Sequence, residues 1–350
     1  MGGTSTTYPQ VGTGQTVNSQ GLYGRKYSLQ VLTPQSDGST TVFTVSDSSF
    51  EPEALRITFD VRTLVFQNAY WFADIDIYNL GPATSIGLIK DAYAVKPGMN
   101  VILSAGYQNG NYGIIWQGPI LQPTWTRENV TDYRLTLHCI IGLLQAINGQ
   151  TLSAVYSGFN QAQIVTSMIE SLGLHLETPL PSKLSDTQLK YDSVVAGNPA
   201  QVLDEITKAN DLVWFMKQRG LAATDTGIYV GDPAEGVDTA TSDFTFTPSN
   251  GLLGTPVQNQ NGVDFSVLLN PFVVTKLPLQ VVSIDQALIE QIPYQPNAAG
   301  YPPYPLSPPL KYAVLQVRHR GDSRGDLWQT DIKGAVNQGA LITKLIGSSQ

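Results

Sequence analysis

The segment from Asp74 to Tyr78, Asp-Ile-Asp-Ile-Tyr, alternates strictly in residue type. Successive side chains of a β-strand point to opposite faces, so this spacing places Asp74 and Asp76 on one face and the two isoleucines on the other. Gly81 and Pro82 follow closely, and these residue types interrupt a strand and set turn geometry. The segment therefore predicts a strand with one dry face and one acidic face.

Two further segments predict neighbouring strands of the same sheet or barrel. The unbroken apolar run at residues 101–103 is typical of a strand that is covered on both sides. Residues 113–118 place apolar side chains between two glycines. The chain between Tyr78 and the turn at Pro97-Gly98 is predicted as a polar connector.

Residues 26–147 are predicted as a first β domain, a barrel or sandwich of short strands. The strand signals that support it, besides those above, lie at residues 28–32, 41–45, 55–61 and 133–138. Residues 1–25 precede this domain and lack periodic apolar residues, so they are predicted to be flexible because they cannot bury enough surface to offset their ordering entropy.

The apolar period changes in residues 148–245, which are predicted as a compact α+β domain. Asn160 is the expected N-cap of a helix over residues 161–172, and Gly173 is its expected stop. Asn198, followed by Pro199, is the expected N-cap of a second helix that ends at Asn210. Residues 212–216 and 227–231 then predict a hairpin, and Met168, Trp214 and Phe215 are predicted to be core residues.

Strand character returns in residues 246–350, which are predicted as a second β domain. Its strand signals lie at residues 244–246, 263–268 and 279–284, and the Lys- and Pro-containing segment 274–281 loosely repeats segment 95–101. Residues 291–310 are rich in Pro and Tyr, and Pro removes a backbone donor and fixes φ. We predict an extended loop there, which either docks on a partner or lies free on the surface.

Composition limits the function classes. Charged residues make up only 14% of the chain, against about 25% in an ordinary domain. We interpret this as surface that other subunits cover, although a β-rich composition alone also accounts for it. The net charge is −8 and no run of Lys or Arg exceeds two residues, which argues against a dedicated nucleic-acid binder.

Two separate and ordered sets of residues resemble the baseplate hub proteins of phage tails. The first set is Ile-Tyr-Asn-Leu at 77–80, Pro-Gly at 97–98, Ala-Gly-Tyr at 105–107 and Trp-Gln-Gly at 116–118. The second set lies at residues 251–256, 262–265, 268–271 and 317–322, with Trp328 and Thr330 downstream. Together they cover roughly residues 26–335, and residues 77–80 favour the contractile-tail type.

The resemblance implies a mainly β chain with two tail-tube-like barrels, 26–147 and 246–350, flanking the α+β domain. It implies a homotrimeric ring that joins a sixfold tail tube to a threefold central spike, in a virion assembled in the host cytoplasm. The expected partners are a tail tube or tube-initiator protein, the spike and baseplate wedge proteins, with DNA only in transit. Asp74 and Asp76 are candidates for an acidic channel lining that repels DNA, or are solvent-facing carboxylates on an outer face.

The sequence offers no recognisable catalytic, cofactor or metal site, and we expect no enzymatic activity and no cofactor. The three histidines, His138, His175 and His319, lie far apart and are expected to be structural. The single cysteine, Cys139, is expected to be a buried thiol. The start of the chain has no signal-peptide pattern and no apolar stretch is long enough to span a bilayer, so a soluble product without membrane insertion is expected.

Two rival functions remain open at this stage. A glycan hydrolase needs two suitably spaced carboxylates, for which Asp74 with Asp76, or Glu51 with Glu53, are the candidate pairs. A tail-tip adhesin would use exposed aromatic residues such as Trp125, Tyr301 and Tyr304 to stack on sugars. The tripeptide Arg-Gly-Asp at 324–326 resembles an adhesion motif, but we interpret it as a hairpin turn.

Overall fold

The computed structural model describes most of the chain, and the statements below refer to these residues. They are residues 23–48, 51–65, 70–94, 98–142, 152–184, 189–220, 225–237, 241–258, 262–285, 288–289, 310–336 and 342. The predicted flexible segment 1–25 and the predicted Pro/Tyr-rich loop 291–310 fall almost wholly outside them. Residues 95–97, needed to compare the two Lys- and Pro-containing segments, also lie outside.

The described residues form eighteen strands and three α-helices. The first strands are β1 (Arg25–Pro34), β2 (Thr40–Asp47), β3 (Ile57–Leu64), β4 (Trp71–Tyr78), β5 (Asn100–Tyr107), β6 (Tyr112–Arg127) and β7 (Tyr133–Ile141), with helix α1 (Pro82–Ala94) between β4 and β5. The middle region contains β8 (Leu152–Tyr156), α2 (Gln161–Ser171), β9 (His175–Leu176), β10 (Ser193–Gly197), α3 (Pro199–Ala209), β11 (Val213–Gln218) and β12 (Thr226–Gly231).

The last region is again made of strands. These are β13 (Phe244–Phe246), β14 (Leu252–Gln258), β15 (Gly262–Leu268), β16 (Val281–Ile284), β17 (Leu310–Asp322) and β18 (Trp328–Val336), with a short 3-10 turn at Pro248–Asn250. The prediction of a mainly β fold with an α+β insertion is confirmed. The strands predicted in both β regions are present, and the Arg-Gly-Asp tripeptide lies in the connection between β17 and β18, as expected.

Strands from both β regions join in one large sheet. The strand order is β14-β15-β18-β17-β3-β4-β7-β6-β5-β1-β2, with β16 and β13 branching from β17. All neighbours on the main path are antiparallel, and the two regions meet where β17 pairs with β3, in a register that places Arg318 opposite Arg62. Strand β6 turns the sheet, since its first half pairs with β5 and its second half with β7.

The predicted polar connector after β4 is wrong, because the chain forms helix α1 there. Strand β4 ends at Tyr78, and the next residue, Asn79, has a left-handed φ of +57°, a conformation that asparagine tolerates better than most residues. The Ser85 N–H then donates to the Gly81 carbonyl to form the first helical turn. Ser85 and Leu88 are buried, and the helix packs against β6.

The two predicted helices of the middle region are confirmed. The Asn160 side chain accepts from the Gln163 N–H and the Gln163 side chain accepts from the Asn160 N–H, which completes a capping box at the start of α2. The Asn198 side chain accepts from the Ala200 N–H at the start of α3. The predicted hairpin is β11 and β12, which form a three-stranded sheet with β9.

The core lies on the apolar face of the large sheet and continues into the middle region. Met168, Trp214 and Phe215 are buried in it, as predicted. Cys139 is also buried, as expected, and burial raises the pKa of its thiol far above the ordinary value. A second apolar cluster, which includes Phe246 and Tyr312, lies among strands β13 to β18.

Candidate functional site

Eight neighbouring strands, β14, β15, β18, β17, β3, β4, β7 and the second half of β6, share one side of the large sheet. This side is polar except at the edge strand β14, where Leu253 and Val257 lie opposite Ser266 and Asp264. In β3 the apolar residues Ile57, Phe59 and Val61 are buried, whereas Thr58, Asp60 and Arg62 between them are half-buried. The period of two in the sequence produces this separation of faces. We call the second set of side chains, continued across the neighbouring strands, the polar face.

The polar face carries charges of both signs. Its ionisable residues include Asp60, Arg62, Asp74, Asp76, Arg134, His138, Asp264, Arg318, Arg320, Asp322, Asp331 and Lys333. The strand registers place these residues in rows across the sheet, with Asp60 directly between Asp74 and Arg320 and with Asp264 opposite Lys333. Opposite charges on neighbouring strands attract and stabilise the pairing of those strands.

The centre of the polar face is the seam between β3 and β17. Arg318 binds the Asp60 carboxylate with two nitrogens, and its Nε lies 2.7 Å from Oδ1. This hydrogen bond raises the pKa of the Arg318 guanidinium. The next pair runs from β17 to β18, where the Arg320 Nε lies 2.6 Å from Asp331 Oδ2. Only the Arg318–Asp60 pair connects strands that are distant in sequence, so this pair helps to hold the two β regions together.

Asp74 and Asp76 share the polar face, as the alternation predicted, but their surroundings are not purely acidic. Asp74 Oδ1 lies 2.6 Å from the Nδ1 of His138 on β7. Asp76 accepts hydrogen bonds from the hydroxyls of Thr58, at 2.9 Å, and Thr136, at 2.5 Å. The predicted acidic face is therefore corrected to one in which imidazole and hydroxyl side chains contact the carboxylates.

The other predicted pair of carboxylates, Glu51 and Glu53, lies on an exposed connection before β3 and not in a cleft. His175 is exposed on the short strand β9. His319 lies on the opposite side of β17 from Arg318 and is 3% exposed, with its Nδ1 2.9 Å from the Thr330 hydroxyl. Burial lowers the pKa of His319 to about 4, because the interior disfavours the charged ring.

Trp125 was expected to be an exposed aromatic residue, but it is half-buried. Its ring stacks on Tyr133, with a centroid separation of 5.1 Å and an angle of 13° between the planes. One face of the indole is thereby covered, so it offers less surface for a sugar than the sequence suggested. Tyr301 and Tyr304, the other aromatic candidates, lie outside the described residues.

Three further strands of the polar face show the same alternation of residue types in the sequence, but we interpreted this alternation only in the strand that contains Asp74 and Asp76. Asp60-Val61-Arg62, Arg318-His319-Arg320 and Asp331-Ile332-Lys333 alternate charge with a buried residue in the same way as Asp74-Ile75-Asp76. Each triplet places two charges on one face of a strand. Which strands lie beside one another is a property of the fold, and the pairing of these charges followed only from the strand order.

The part of the sheet that carries the polar face has two lateral edges. One edge is β14 and the other is the second half of β6, and no strand of the described residues pairs with either from outside. Leu121, at the second edge, is 47% exposed, and Val257 in β14 is 41% exposed. Unpaired edges of this kind bind further strands unless they are covered.

The described residues contain no cluster of three or more His, Cys, Asp or Glu side chains placed to hold a metal ion. Among the same residues, no helix is both long enough and apolar enough to cross a lipid bilayer.

Comparison of the sequence with protein-family models gives no match, and comparison with curated proteins gives none either. Solved structures do match. A tail protein from Neisseria meningitidis MC58 aligns with a TM-score of 0.50 and 10% identity, over 89% of this chain and 97% of that chain. A chain of the lidded Francisella PdpA-VgrG complex aligns with a TM-score of 0.53 and 8% identity.

That second alignment covers 90% of this chain but only 53% of the Francisella chain. The lidless form of the same complex aligns with a TM-score of 0.52 and 8% identity, over 92% of this chain and 66% of that chain. At such identities the similarity concerns the fold. The chain therefore shares its fold, over about nine-tenths of its length, with a Neisseria tail protein and with a chain of the PdpA-VgrG complex.

Proposed function

We propose that this protein is a structural hub of a phage-tail baseplate, and that three copies form a ring around the channel through which DNA passes. The observation that supports it best is a polar-faced sheet at whose two lateral edges no described strand pairs from outside, in a chain that shares the fold of a tail protein. The motif resemblance over residues 26–335 points to the same role.

The two free edges suggest how the ring closes. The second half of β6 in one copy would lie beside β14 of the next copy, which is a head-to-tail contact between two different surfaces. Such contacts give a closed ring when the rotation between copies divides a full turn evenly. Every copy then has both edges covered, which removes the exposed strands that otherwise promote aggregation.

In this arrangement the polar face lines the channel and the apolar face remains in the core of each copy. A lining of alternating charges is well hydrated and has no strong net attraction for phosphates, and this favours passage of DNA over its retention. The partners we propose are a tail tube or tube-initiator protein on one side, the central spike on the other, and wedge proteins around the ring. The role is structural, with no bond made or broken by this chain.

The first experiment is light scattering with negative-stain microscopy on the purified protein. We expect a ring of about 114 kDa, three times the 37.9 kDa of one chain. Leu121→Asp places a charge at the β6 edge and is expected to shift the protein to monomers. The matched control, Val194→Asp, changes a residue of the middle region that is 73% exposed and should leave the ring intact.

A second measurement distinguishes a hub that needs its partners from a protein that forms no ring. If the isolated protein is a monomer, the tail tube protein and the spike protein of the same tail are added. Ring formation on either partner supports the proposal. A chain that stays monomeric with both partners, or a Leu121→Asp variant that assembles as well as the wild type, would contradict it.

A further inference from the structure

A cavity of about 430 Å³ opens between the large sheet and the middle region. Its walls come from β6, from the end of β11 with the following residues, and from β12, and they include Ile114, Trp116, Lys217, Arg219 and Tyr229. The volume falls within the range of about 300–1,000 Å³ that is typical of sites for small molecules. None of these five residues belongs to the polar face, so the cavity is separate from the proposed channel.

The cavity holds a hydrogen-bond donor without a partner. Trp116 is 3% exposed, and among the described residues its indole N–H, at Nε1, has no hydrogen-bond acceptor. Leaving a buried donor unpaired costs about 1–3 kcal/mol. Buried indole N–H groups usually have a partner, so this one indicates an acceptor that the described residues do not supply.

The charges around the cavity leave one cation without a direct partner. Glu177 and Arg219 form an ion pair, with Glu177 Oε1 2.7 Å from Arg219 Nε. Lys217, which is the exposed residue of β11, stands beside them, and no carboxylate of the described residues lies within ion-pair distance of its amine. Desolvation lowers the pKa of Lys217, although Glu177 opposes this shift. Asp225 Oδ1 also lies 4.0 Å from Arg219 Nη1, so Glu177, Asp225, Arg219 and Lys217 together carry a net charge of about zero near neutral pH.

The rest of the lining is apolar and aromatic. Trp71 stacks on Phe215 at a centroid distance of 5.2 Å, and Phe215 stacks on Tyr229 at the same distance. Trp71 and Tyr229 both line the cavity, so the stack holds them in place. Ile114, which is 40% exposed, lies at the same cavity and adds apolar surface. An aromatic or aliphatic group fits this surface through dispersion and burial.

We propose that this cavity binds a carboxylate attached to an apolar body, with the Trp116 indole N–H and the Lys217 amine as its donors. The carboxylate satisfies the buried donor and balances the unpaired cation, and the apolar body contacts Ile114, Trp71 and Tyr229. Two sources share this chemistry: a free aromatic or aliphatic acid, and the carboxy terminus of a peptide whose last residue is apolar.

The test is a titration of the full-length protein followed by NMR of the tryptophan indole N–H groups. The probes are 3-phenylpropionate and its uncharged amide. We expect the carboxylate to shift the Trp116 indole signal, which is assigned by its absence in Trp116→Phe, with a Kd on the order of 1 mM. The amide is expected to bind at least about tenfold more weakly, because it lacks the charge.

Lys217→Met separates this proposal from simple apolar binding. It keeps the length of the side chain but removes the charge, and it is expected to weaken carboxylate binding at least about fivefold. Lys333→Met, on the polar face, is the matched control and should change nothing. To distinguish the two sources, acetyl-Gly-Phe is compared with 3-phenylpropionate, since clearly tighter binding of the peptide identifies a chain terminus.

Three results would overturn the proposal: equal binding of acid and amide, unchanged carboxylate binding by Lys217→Met, or no shift of the Trp116 signal with any probe at 20 mM, about the highest practical concentration. Ring formation is measured separately by mass. A protein that forms the ring but fails this titration rejects the cavity site alone.

Discussion

At the residue scale, the charged side chains of the polar face bind one another across strands instead of remaining as isolated charges. Asp60 is the clearest case, because Arg318 binds both of its carboxylate oxygens from the neighbouring strand. Two-point contacts of this kind have more specific geometry and are stronger than ordinary surface ion pairs. Since both side chains remain about one-third exposed, solvent screening reduces their contribution.

We expect Arg318→Met and Asp60→Asn each to lower the free energy of unfolding by about 1 kcal/mol, through loss of this pair. The measurement is urea unfolding of both single variants and of the double variant. The double variant is expected to cost less than the sum of the two single variants, since removal of one partner already breaks the contact. Strictly additive losses would show that the two residues do not interact.

His319 predicts a dependence of stability on pH. Its pKa is about 4 in the folded chain against an ordinary value of 6.5, so the unfolded chain binds the proton more readily. Stability is therefore retained above about pH 6.5 and is lost as the pH falls towards 4. Between pH 7.5 and pH 5 we expect this histidine to remove roughly 2 kcal/mol from the free energy of unfolding.

The measurement is urea unfolding at both pH values for the wild type and for His319→Gln. The variant is less stable at neutral pH if the new side chain packs poorly, but its loss on acidification should be smaller by that roughly 2 kcal/mol. His175→Gln, at an exposed position, controls for removing a histidine as such. Equal losses on acidification in all three proteins would rule out His319 as the cause.

At the scale of the elements, the predicted helices agree with the structure where a short sequence pattern, such as an N-cap residue, marks the start of the helix. Helices α2 and α3 begin with Asn160 and Asn198, whose side chains bond to the first turn as the sequence suggested. Helix α1 carries only Pro82 as a start signal, and Gly87 lies within it, so its residues resembled a connector. It forms because Ser85 and Leu88 are buried against the sheet, and burial of this kind outweighs weak local propensity.

We expect Asn160→Ala to lower the free energy of unfolding by about 1 kcal/mol, because it removes the acceptor for the Gln163 N–H at the start of α2. The matched variant Asn160→Asp keeps an acceptor in the same place and should cost little. Urea unfolding of the two variants, compared with the wild type, measures the difference. A loss of equal size in both would mean that the cap contributes nothing.

At the scale of the whole molecule, the sequence indicated two β regions but not the sheet that joins them. Alternation within β3 and β17 could be predicted, because it depends only on the spacing of a few residues. Their pairing could not be predicted, because no local pattern in the sequence of either strand identifies a partner that is distant in the chain. The same reason explains why Asp74 and Asp76 were identified as a face while His138, Thr136 and Thr58, their partners from other strands, were not.

A charge change on the polar face tests whether that face lines the channel. The combined substitution of Asp74→Lys and Asp76→Lys changes the net charge from −8 to −4, since each adds two positive charges. We expect rings of this variant to retain duplex DNA at about 50 mM salt, where wild-type rings release it. In the assembled tail, DNA ejection should slow.

Glu51→Lys with Glu53→Lys gives the same net charge on an exposed connection away from the polar face, and it should leave retention and ejection unchanged. If the two double variants behave alike, only the total charge matters. If DNA is ejected normally by the Asp74 and Asp76 variant, the polar face does not contact DNA.

The pairing of β17 with β3 also has a consequence for biosynthesis. Arg318 and Asp60 are 258 residues apart, so β3 emerges from the ribosome long before its neighbour exists. At about 5–20 residues per second the wait is roughly 10–50 seconds. During that time the edge of β3 is open, and its charged residues Asp60 and Arg62 are the kind that discourage pairing with a wrong strand. A chain that stops before β17 lacks the partner strand of β3, so an incomplete copy cannot form the sheet on which the proposed ring depends.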